Sequence, residues 1–341
     1  MRIDDTLKAT IAELTRPGKG ILAADESEPT ITKRFCALGI DSDEESRRRY
    51  RSMLFTAPGV EEHLSGVILF EETLAQRSDD GTLLPEVLAR RGILAGIKVD
   101  KGTTPLPNAS GDLITQGLDG LSERLRAYKA HGVRFAKWRE VYAITEGTPT
   151  ALGVEANAEV LARYAAICQQ EGIVPIVEPE VLIEGDHGIE RSHAVNETVL
   201  HAVFDCLHRH RVILEGLVLK PSMVLPGNRC PAKAGPEEVA AATLEVLRRT
   251  VPAAVPSINF LSGGQSPEDA TANLNAMNVM CPHPPWVLSF SYARALQDPA
   301  MRAWGGRDEN RVTAQKAFSQ RVRMNGLARE GRWSPQIERA S

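Results

Sequence analysis

Five apolar segments of this chain end in charged residues whose side chains could form a catalytic pocket. In chain order the charged strings are Asp25-Glu26-Ser27, Lys98-Val99-Asp100, Lys137-Trp138-Arg139, Glu178-Pro179-Glu180 and Lys220-Pro221. Side chains alternate along a strand, so the first and third residue of each triplet face the same way. Lysines and acids are rarely buried unless they are paired. Five such segments therefore favour one shared pocket over five separate points where strands reach solvent.

Lys220 has the most suggestive surroundings of these residues. It ends the largely apolar segment 214–220. A lysine held there is desolvated, which favours its neutral amine, and repulsion from Lys98 and Lys137 would favour that form further. A neutral amine is the nucleophile that forms a Schiff base with a carbonyl compound. The alternative is a lysine that extends to solvent and pairs with a carboxylate of the fourth string.

A glycine-rich turn, Leu-Ser-Gly-Gly-Gln at 261–265, has the composition of a phosphate-binding loop. Its backbone N–H groups would form an anion nest, and the start of the following helix would add a favourable dipole. Arg294 would bring a guanidinium to the same phosphate. The string also matches the signature of transport ATPases, but the chain contains no G-x-x-x-x-G-K-[ST] loop. A plain tight turn is the remaining alternative.

Eight short segments are predicted to be the strands that position these residues. Most are almost continuously apolar, as in parallel strands that are buried on both faces. They cover residues 20–25, 66–70, 94–99, 133–138, 173–177, 214–220, 257–261 and 286–292. Helical patterns separate them and no G-x-G-x-x-G turn is present. This favours an α/β fold with a single-domain (β/α)8 TIM barrel over 1–341, rather than an open doubly wound sheet. A short, polar and loosely held C-terminal tail is expected from about residue 329.

Local signals predict one helix and its exposed face. Ser42 and Glu45 have the spacing of a capping box for a helix that runs through residue 54. The basic run 47–51 follows the acidic residues 43–45 on that helix. This pattern predicts a solvated, internally paired face rather than a nucleic-acid patch.

The composition excludes several classes of protein. The 341 residues are 43% hydrophobic and 25% charged, which is typical of a globular chain and not of a disordered one. A net charge of −4 argues against bulk nucleic-acid binding. The longest stretch without Asp, Glu, Lys or Arg, 270–293, contains three prolines and three asparagines, which do not suit a membrane span.

Cysteine and histidine usage predicts a cytoplasmic protein without a metal. Five widely spaced cysteines with no C-x-x-C motif indicate reduced thiols, and the acidic amino terminus lacks the apolar run of a signal peptide. The eight histidines form no H-E-x-x-H motif and no paired spacing with cysteines. A metal site is therefore not predicted.

Ten strings, in order and across most of the chain, resemble those of class I fructose-bisphosphate aldolases. Among them are GKGILAADES (18–27), GIKVDKG (96–102), FAKWR (135–139), GIVPIVEPE (172–180), LKPSMV (219–224) and FLSGGQS (260–266). The resemblance implies a metal-independent lyase that cleaves fructose 1,6-bisphosphate reversibly to dihydroxyacetone phosphate and glyceraldehyde 3-phosphate. It also implies sugar-phosphate substrates, no cofactor and a homotetramer.

The resemblance assigns chemistry to five residues. Lys220 would form the Schiff base with the ketone carbon, and Glu178 would be the general acid and base. Lys137 would support carbinolamine formation, while Glu180 would position the cations. Asp25 would orient Lys220 and assist carbon–carbon cleavage.

The resemblance also assigns the residues that bind substrate. Those for one phosphate would be Ser262, Gly263, Gly264, Ser291 and Arg294. Those near the other end of the substrate would be Ser27, Thr30, Arg34, Lys98 and Arg139.

Three departures from the family pattern lead to further expectations. Glu28 adds negative charge beside a phosphate, which predicts weaker binding there. Ala293 replaces the usual glycine, and its methyl group is expected to be tolerated if φ is negative. No tyrosine follows Tyr292, whereas animal members close with one, so another group or water is expected to protonate the enamine.

Two other functions compete with this hypothesis. A metal-dependent barrel aldolase or isomerase would lose its activity in EDTA. A non-catalytic binding protein would be unaffected by Lys220→Ala.

Overall fold

The computed structural model describes residues 4–109 and 111–340, so the two ends of the predicted 1–341 domain lie outside the described residues. Eight parallel strands close into a barrel. Together with a two-stranded hairpin (β4, β5), the strands in chain order are β1 (Gly20–Ala24), β2 (Leu64–Leu69), β3 (Leu94–Lys98), β4 (Thr103–Pro105), β5 (Leu113–Thr115), β6 (Val133–Tyr142), β7 (Val174–Val181), β8 (Val218–Leu219), β9 (Ser257–Phe260) and β10 (Val287–Tyr292). β10 pairs with β1 and closes the barrel. The predicted barrel is therefore confirmed and the open sheet is excluded.

Helices follow the strands and cover the outside of the barrel. In chain order the α-helices of the described residues are α1 (Asp5–Leu14), α2 (Glu28–Cys36), α3 (Glu44–Phe55), α4 (Leu84–Arg90), α5 (Leu121–Ala130), α6 (Ala151–Gln170), α7 (Ile189–Arg209), α8 (Pro236–Thr250), α9 (Pro267–Met280), α10 (Arg294–Trp304), α11 (Arg311–Arg329) and α12 (Pro335–Ala340). Within the described part of the chain, no helix has both the length and the apolar content that a membrane crossing needs.

Helix α1 closes the amino-terminal end of the barrel. Leu7, Ile11 and Leu14 repeat at helical spacing, are buried, and belong to one cluster with the interior residues Ile21 and Phe135. A second, larger apolar cluster lies between the strands and the outer helices. Because apolar side chains fill the lower end of the barrel, the charged side chains collect at the carboxyl ends of the strands.

Three strands differ from their predicted bounds by more than two residues at one end, two because they continue further and one because it is shorter. The predicted strands end at residues 138 and 177, but β6 continues to Tyr142 and β7 to Val181. The carboxyl ends of these two strands contain charged residues, so apolar composition does not reveal where they stop. The strands continue to pair through these residues, with Arg139 opposite Glu178. The segment 214–220 begins instead as a 3-10 turn, and only Val218–Leu219 is strand.

Helix α3 corrects two expectations. Its N-cap is Asp43, whose Oδ1 accepts the backbone N–H of Ser46 at 2.7 Å, and not Ser42 of the predicted capping box. Arg47 and Arg51 are only 7% and 2% exposed, so the solvated face predicted for this run is wrong for them. Their partner is a carboxylate from the segment after β2, which helical spacing alone does not reveal.

The C-terminal residues are more firmly held than the predicted loose tail. Arg321 of α11 contacts Glu338 of α12, and the indole Nε1 of Trp333 donates to Glu338 at 2.6 Å. Arg329 is buried, and its Nη2 donates to the carbonyl oxygen of Thr15 at 2.7 Å. The polar composition of this segment suggested a loose tail, because a partner such as Thr15 is distant in sequence and cannot be recognised from the segment itself.

Candidate active site

Four charged side chains from four strands meet at the carboxyl end of the barrel. Asp25 follows β1, Lys137 lies in β6, Glu178 lies in β7 and Lys220 follows β8, and all four are buried. Lys137 Nζ lies 2.8 Å from Asp25 Oδ2 and 3.3 Å from Glu178 Oε2. Lys220 Nζ lies 3.0 Å from Glu178 Oε1. The structure therefore brings together four of the five predicted catalytic residues in one ion-pair network, which we call the lysine cluster.

Strand pairing determines which side chains enter this network. Lys137 and Arg139 alternate with Trp138, whose ring is fully buried and stacks at 5.5 Å against Tyr164 of α6. The backbone N–H of Lys220 donates to the carbonyl oxygen of Val177 at 2.8 Å. That bond keeps Lys220 level with Glu178 in the middle of β7, although β8 itself has only two residues.

Lys137 is held as a cation. Burial alone would lower the pKa of Lys137, but Asp25, Glu178 and Asp100 outweigh burial and raise it well above its ordinary value. Burial would likewise raise the pKa of Asp25, yet Lys137 and Lys220 outweigh it and hold that pKa below its ordinary value. Both groups therefore carry their charges at neutral pH.

Lys220 has a different set of neighbours. Among the described residues its Nζ has one carboxylate within ion-pair distance, Glu178, whereas Lys137 Nζ has three. Glu178 Oε2 is buried, lies 3.3 Å from Lys137 Nζ, and has no hydrogen-bond partner in the described structure. Glu178 therefore bridges the two lysines and is placed to move a proton next to Lys220.

A second pair extends the network toward β3. Lys98 Nζ lies 2.6 Å from Asp100 Oδ1, and Asp100 Oδ2 lies 3.9 Å from Lys137 Nζ. Asp100 was not among the predicted site residues, although it is buried within the cluster. The alternation that places Lys98 and Asp100 on one face was the signal for including it.

Arg139 and Glu180 form the outer edge of the site. The Arg139 guanidinium contacts Glu180 Oε2, and the Arg139 side chain remains 40% exposed. Burial alone would raise the pKa of Glu180, but Arg139, and with it Lys220 and Arg294, lowers it below its ordinary value. Glu180 is therefore a buried anion that pairs with Arg139 and is stabilised by the charges of Lys220 and Arg294.

The glycine-rich turn has the geometry of an anion site. Gly263 and Gly264 have φ values of 50° and 84°, in the left-handed region that glycine adopts without strain. The guanidinium of Arg294 lies beside this turn, since its Nη2 is 3.6 Å from where a Cβ on Gly264 would be. Ser262 is buried, and the buried Ser291 Oγ has no hydrogen-bond partner in the described structure. Unpaired donors beside a guanidinium are suited to a phosphate.

Ala293 meets the condition set for its methyl group. Its φ is −100°, outside the region that requires glycine, and it is the N-cap residue of α10. The methyl group of Ala293 therefore does not sit on a left-handed backbone conformation.

The other predicted substrate-binding group is only partly assembled. Ser27 Oγ and Thr30 Oγ1 lie 3.0 Å apart at the start of α2, where Ser27 is the N-cap but its side chain makes no capping bond. Arg34 is instead held by two carboxylates, because it contacts Glu26 and donates to Asp298 Oδ1 at 2.8 Å. Sequence reasoning missed both partners, and Asp298 comes from a helix more than two hundred residues away.

The described residues contain no group of three or more His, Cys, Asp or Glu side chains arranged to hold a metal ion.

Comparison with known proteins decides the family. The family model described as "Fructose-bisphosphate aldolase class-I" matches residues 6–341. The chain belongs to the class I fructose-bisphosphate aldolase family. It is 54% identical to fructose-bisphosphate aldolase C of mouse (Mus musculus), over 94% of this chain and 88% of the relative. It is 53% identical to the non-muscle aldolase of the lamprey Lethenteron camtschaticum, over 93% and 88%.

A solved aldolase structure has the same fold over nearly the whole chain. It is the fructose-bisphosphate aldolase of Plasmodium falciparum, in complex with TRAP and a small-molecule inhibitor. The TM-score is 0.96 at 46% identity, with 98% of each chain covered. This chain is thus a lyase of the class I aldolase family, which cleaves fructose 1,6-bisphosphate to dihydroxyacetone phosphate and glyceraldehyde 3-phosphate. The resemblance found in the sequence strings is confirmed.

Proposed function

We propose that this aldolase works through a Schiff base on Lys220. The observation that carries the proposal is the bridging position of Glu178, with one oxygen 3.0 Å from Lys220 Nζ and the other 3.3 Å from Lys137 Nζ. A bridging carboxylate can take a proton from the attacking amine and return it to the departing hydroxyl group. Both transfers are needed to convert a ketone and an amine into an imine and water.

The sequence of steps assigns one task to each member of the lysine cluster. The neutral amine of Lys220 attacks the ketone carbon, and Glu178 protonates the hydroxyl of the carbinolamine, which leaves as water. The resulting iminium draws electrons from the bond between C3 and C4, while Asp25 assists removal of the proton from the C4 hydroxyl. The aldehyde product departs, the enamine is protonated at C3, and water hydrolyses the imine to free Lys220.

Lys137 is unsuited to be the nucleophile. Its three carboxylate neighbours hold its proton, and an ammonium group has no lone pair with which to attack. Its task in this proposal is to stabilise negative charge on the carbinolamine oxygen. Glu180 balances the surrounding cations from the outer edge of the site.

The substrate's two phosphates are proposed to bind on opposite sides of the cluster. The side at the glycine-rich turn comprises Ser262, Gly263, Gly264, Ser291 and Arg294. The other side comprises Ser27, Thr30, Lys98 and Arg139, with Arg34 nearby. Arg34 would have to exchange Asp298 for the phosphate, which makes it the least prepared of these residues.

We further propose a cytoplasmic homotetramer. The support is the resemblance to the family, whose members are commonly of this kind, together with the reduced cysteines that the sequence predicts. Light scattering of the purified enzyme would measure its mass in solution.

Borohydride trapping tests the central step. Dihydroxyacetone phosphate forms the imine without carbon–carbon cleavage, so reduction with borohydride should leave a stable adduct on the peptide that contains Lys220. Lys220→Met should abolish the adduct, while Lys137→Met, which retains Lys220, should slow adduct formation without moving it. Cleavage activity should survive EDTA.

The proposal makes exclusive claims about the site of the adduct. An adduct on Lys137, or full turnover by Lys220→Met, would show that another group carries the chemistry. Loss of turnover in EDTA, restored by a divalent metal, would favour the metal-dependent alternative.

A further inference from the structure

Glu140 is a fully buried carboxyl group beside the site that the steps above do not use. It follows Arg139 in β6 and has no exposed surface. Its Oε1 accepts the indole N–H of Trp138 at 2.8 Å, and its Oε2 accepts the backbone N–H of Thr115 at 3.1 Å. Each oxygen thus has one donor, and both donors are neutral.

Thr115 makes two bonds that fasten the hairpin of β4 and β5 to β6. Its N–H donates to Glu140, and its Oγ1 donates to the carbonyl oxygen of Arg139 at 2.8 Å. Thr115 therefore binds both the side chain of Glu140 and the backbone of Arg139, at the point where β6 carries Arg139 into the site.

The same hairpin fixes the loop that carries Asp100. The N–H of Lys101 donates to the carbonyl oxygen of Gln116 at 2.8 Å, and the N–H of Gln116 donates to that of Gly102 at 2.9 Å. These bonds begin one residue after Asp100, whose carboxylate lies 3.9 Å from Lys137 Nζ. Glu140 thus lies at the joint where the hairpin meets β6, between the loop that carries Asp100 and the strand that carries Arg139.

Burial of a carboxyl group at this joint is unfavourable by itself. Burial raises the pKa of Glu140 to about 7, and the negative charge of Asp100 adds to the shift, while the donors Thr115 and Trp138 oppose it. A neutral side chain of similar volume would avoid this cost. The presence of a carboxyl group at this unfavourable position suggests that it has a functional role.

Other titratable groups lie around the same joint. Tyr142, on the same strand, is buried and its hydroxyl has no hydrogen-bond partner in the described structure. Burial raises the pKa of Tyr142 far above its ordinary value, with further contributions from Glu140, Cys206 of α7 and Asp112 of the hairpin. Tyr142 therefore stays neutral, and Glu140 is the group here that titrates near neutral pH.

We propose that Glu140 is a positioning residue for the cleavage reaction: its carboxylate fastens the hairpin to β6 and so holds Lys137, Arg139 and Asp100 in place. It touches no substrate and acts through these three side chains. The inference rests on the proposed function for the roles of these residues.

The hydrogen bonds make the effect dependent on pH. An ionised carboxyl group accepts from both donors, whereas a protonated one turns one oxygen into a donor that faces an N–H group. The joint therefore loosens as the pH falls through about 7, the pKa of Glu140. Glu140→Gln should reproduce the loosened state at every pH, because an amide has only one oxygen to accept with.

The test is the pH profile of kcat and KM for fructose 1,6-bisphosphate cleavage on both sides of pH 7. The unmodified enzyme should lose kcat as the pH falls through that value. Glu140→Gln should lack this step and should have about tenfold lower kcat on the alkaline side, as expected for modest misplacement of reacting groups. KM should change less than kcat.

Glu171→Gln is the matched control. Glu171 also accepts two N–H donors, both from Arg126 at 2.9 Å, but it lies at the amino-terminal end of β7, opposite the site. Its profile should parallel that of the unmodified enzyme. Circular dichroism of each variant would check that it is folded.

Trp138→Phe gives an independent readout if Glu140→Gln folds poorly. It removes one donor to the carboxylate but keeps an aromatic ring at this position, so the step in kcat should move to higher pH. Adding Glu140→Gln to this variant should remove the step. An unchanged step in Glu140→Gln, or a rate lowered equally at every pH with the step retained, would overturn the inference.

Borohydride trapping separates failure of this inference from failure of the proposed function. If Lys220 of the unmodified enzyme is not trapped, the proposed function fails. If Lys220 is trapped but the step remains in Glu140→Gln, only the positioning role of Glu140 fails.

Discussion

Two charge clusters in this enzyme contain similar groups but differ in whether a proton can move within them. The lysine cluster joins Lys137 and Lys220 through Glu178 at the mouth of the barrel. The arginine cluster joins Arg47 and Arg51 of α3 through Glu72, which lies in the 3-10 turn Glu71–Leu74. In each, one carboxylate lies between two cations.

The arginine cluster is a rigid joint. Arg47 grips Glu72 with two parallel bonds, from Nε at 2.8 Å and from Nη2 at 2.9 Å. Arg51 contacts the same carboxylate and also donates to the backbone oxygen of Glu26 at 3.2 Å. A guanidinium keeps its proton under all conditions in proteins, so this cluster stabilises the fold without chemistry.

The lysine cluster has the same connectivity but a proton that can move. An ammonium group releases its proton far more readily than a guanidinium does. Glu178 lies between the Nζ atoms of the two lysines, Lys137 and Lys220. Three carboxylates hold the proton on Lys137, and one faces Lys220. Both clusters therefore combine burial with pairing, and what distinguishes them is the type of cation and the number of carboxylates around each one.

Replacing a lysine by arginine at the centre of the lysine cluster should have the largest effect. Lys220→Arg keeps the positive charge but removes the amine, so kcat should fall by about 10⁴-fold or more, as for loss of other enzymatic nucleophiles. Steady-state cleavage assays and thermal unfolding would show activity lost from a folded protein. A kcat within about tenfold of that of the unmodified enzyme, which corresponds to ~1.4 kcal/mol in activation free energy, would contradict the view that the two clusters differ in their chemistry.

Glu140, a buried carboxyl group whose hydrogen-bond donors are both neutral, can be compared with the carboxylates of the two clusters. The raised pKa of Glu140, about 7 in the folded state, means that the folded enzyme holds a proton there that the unfolded chain has released. Its contribution to stability is therefore full below the ordinary carboxyl pKa of about 4.3 and is lost as the pH rises to about 7.

Glu140→Gln should remove that pH dependence. The stability of the variant relative to the unmodified enzyme should rise by up to ~3 kcal/mol across this window. Urea unfolding at the two ends of the window measures it. A relative stability that does not change with pH would show that the carboxyl group keeps its ordinary ionisation.

The reciprocal change in the arginine cluster should affect stability and leave the chemistry unchanged. Arg47→Lys keeps the charge but loses the two-pronged grip on Glu72, so the free energy of unfolding should fall by about 2 kcal/mol. The kcat of the folded variant should be unchanged, because the lysine cluster keeps all its contacts. A large fall in kcat with normal stability would mean that the arginine cluster takes part in catalysis.

The smallest effect is expected at the exposed edge of the site. Glu28 lies in the first turn of α2 beside Ser27 and Thr30, so Glu28→Thr should lower the KM for the bisphosphate by about threefold at low salt. The gain should vanish at high salt. The same change should weaken α2 by about 0.5 kcal/mol, because an acid near a helix amino terminus is stabilising. An unchanged KM at low salt would show that the phosphate does not approach Glu28.

The barrel and most of the site were predictable from residue pattern. Apolar runs separated by helical patterns indicated eight strands, and the charges at their ends indicated Lys137, Glu178 and Lys220 as partners. Strands that are buried on both faces are almost continuously apolar, and such runs can be recognised in the sequence. The ends of β6 and β7 could not be predicted, because they depend on pairing between two strands.

The partners of buried charges were the part that sequence could not supply. Arg47 and Arg51 were expected to face solvent because the acids nearest in sequence seemed sufficient. Arg34 was expected to await a phosphate, but Asp298 from α10 already holds it. Glu140 gave no signal, because its burial depends on a hairpin that folds back from before α5.

The sequence by itself determined the fold class and the family, because these depend on residue type and on local pattern, and it named the strand-end charges that could share a pocket. Tertiary structure decided how the protons are shared. Lys137 and Lys220 carry the same side chain, but three carboxylates lie within ion-pair distance of Lys137 Nζ and one lies within that distance of Lys220 Nζ, because barrel closure decides which strands meet.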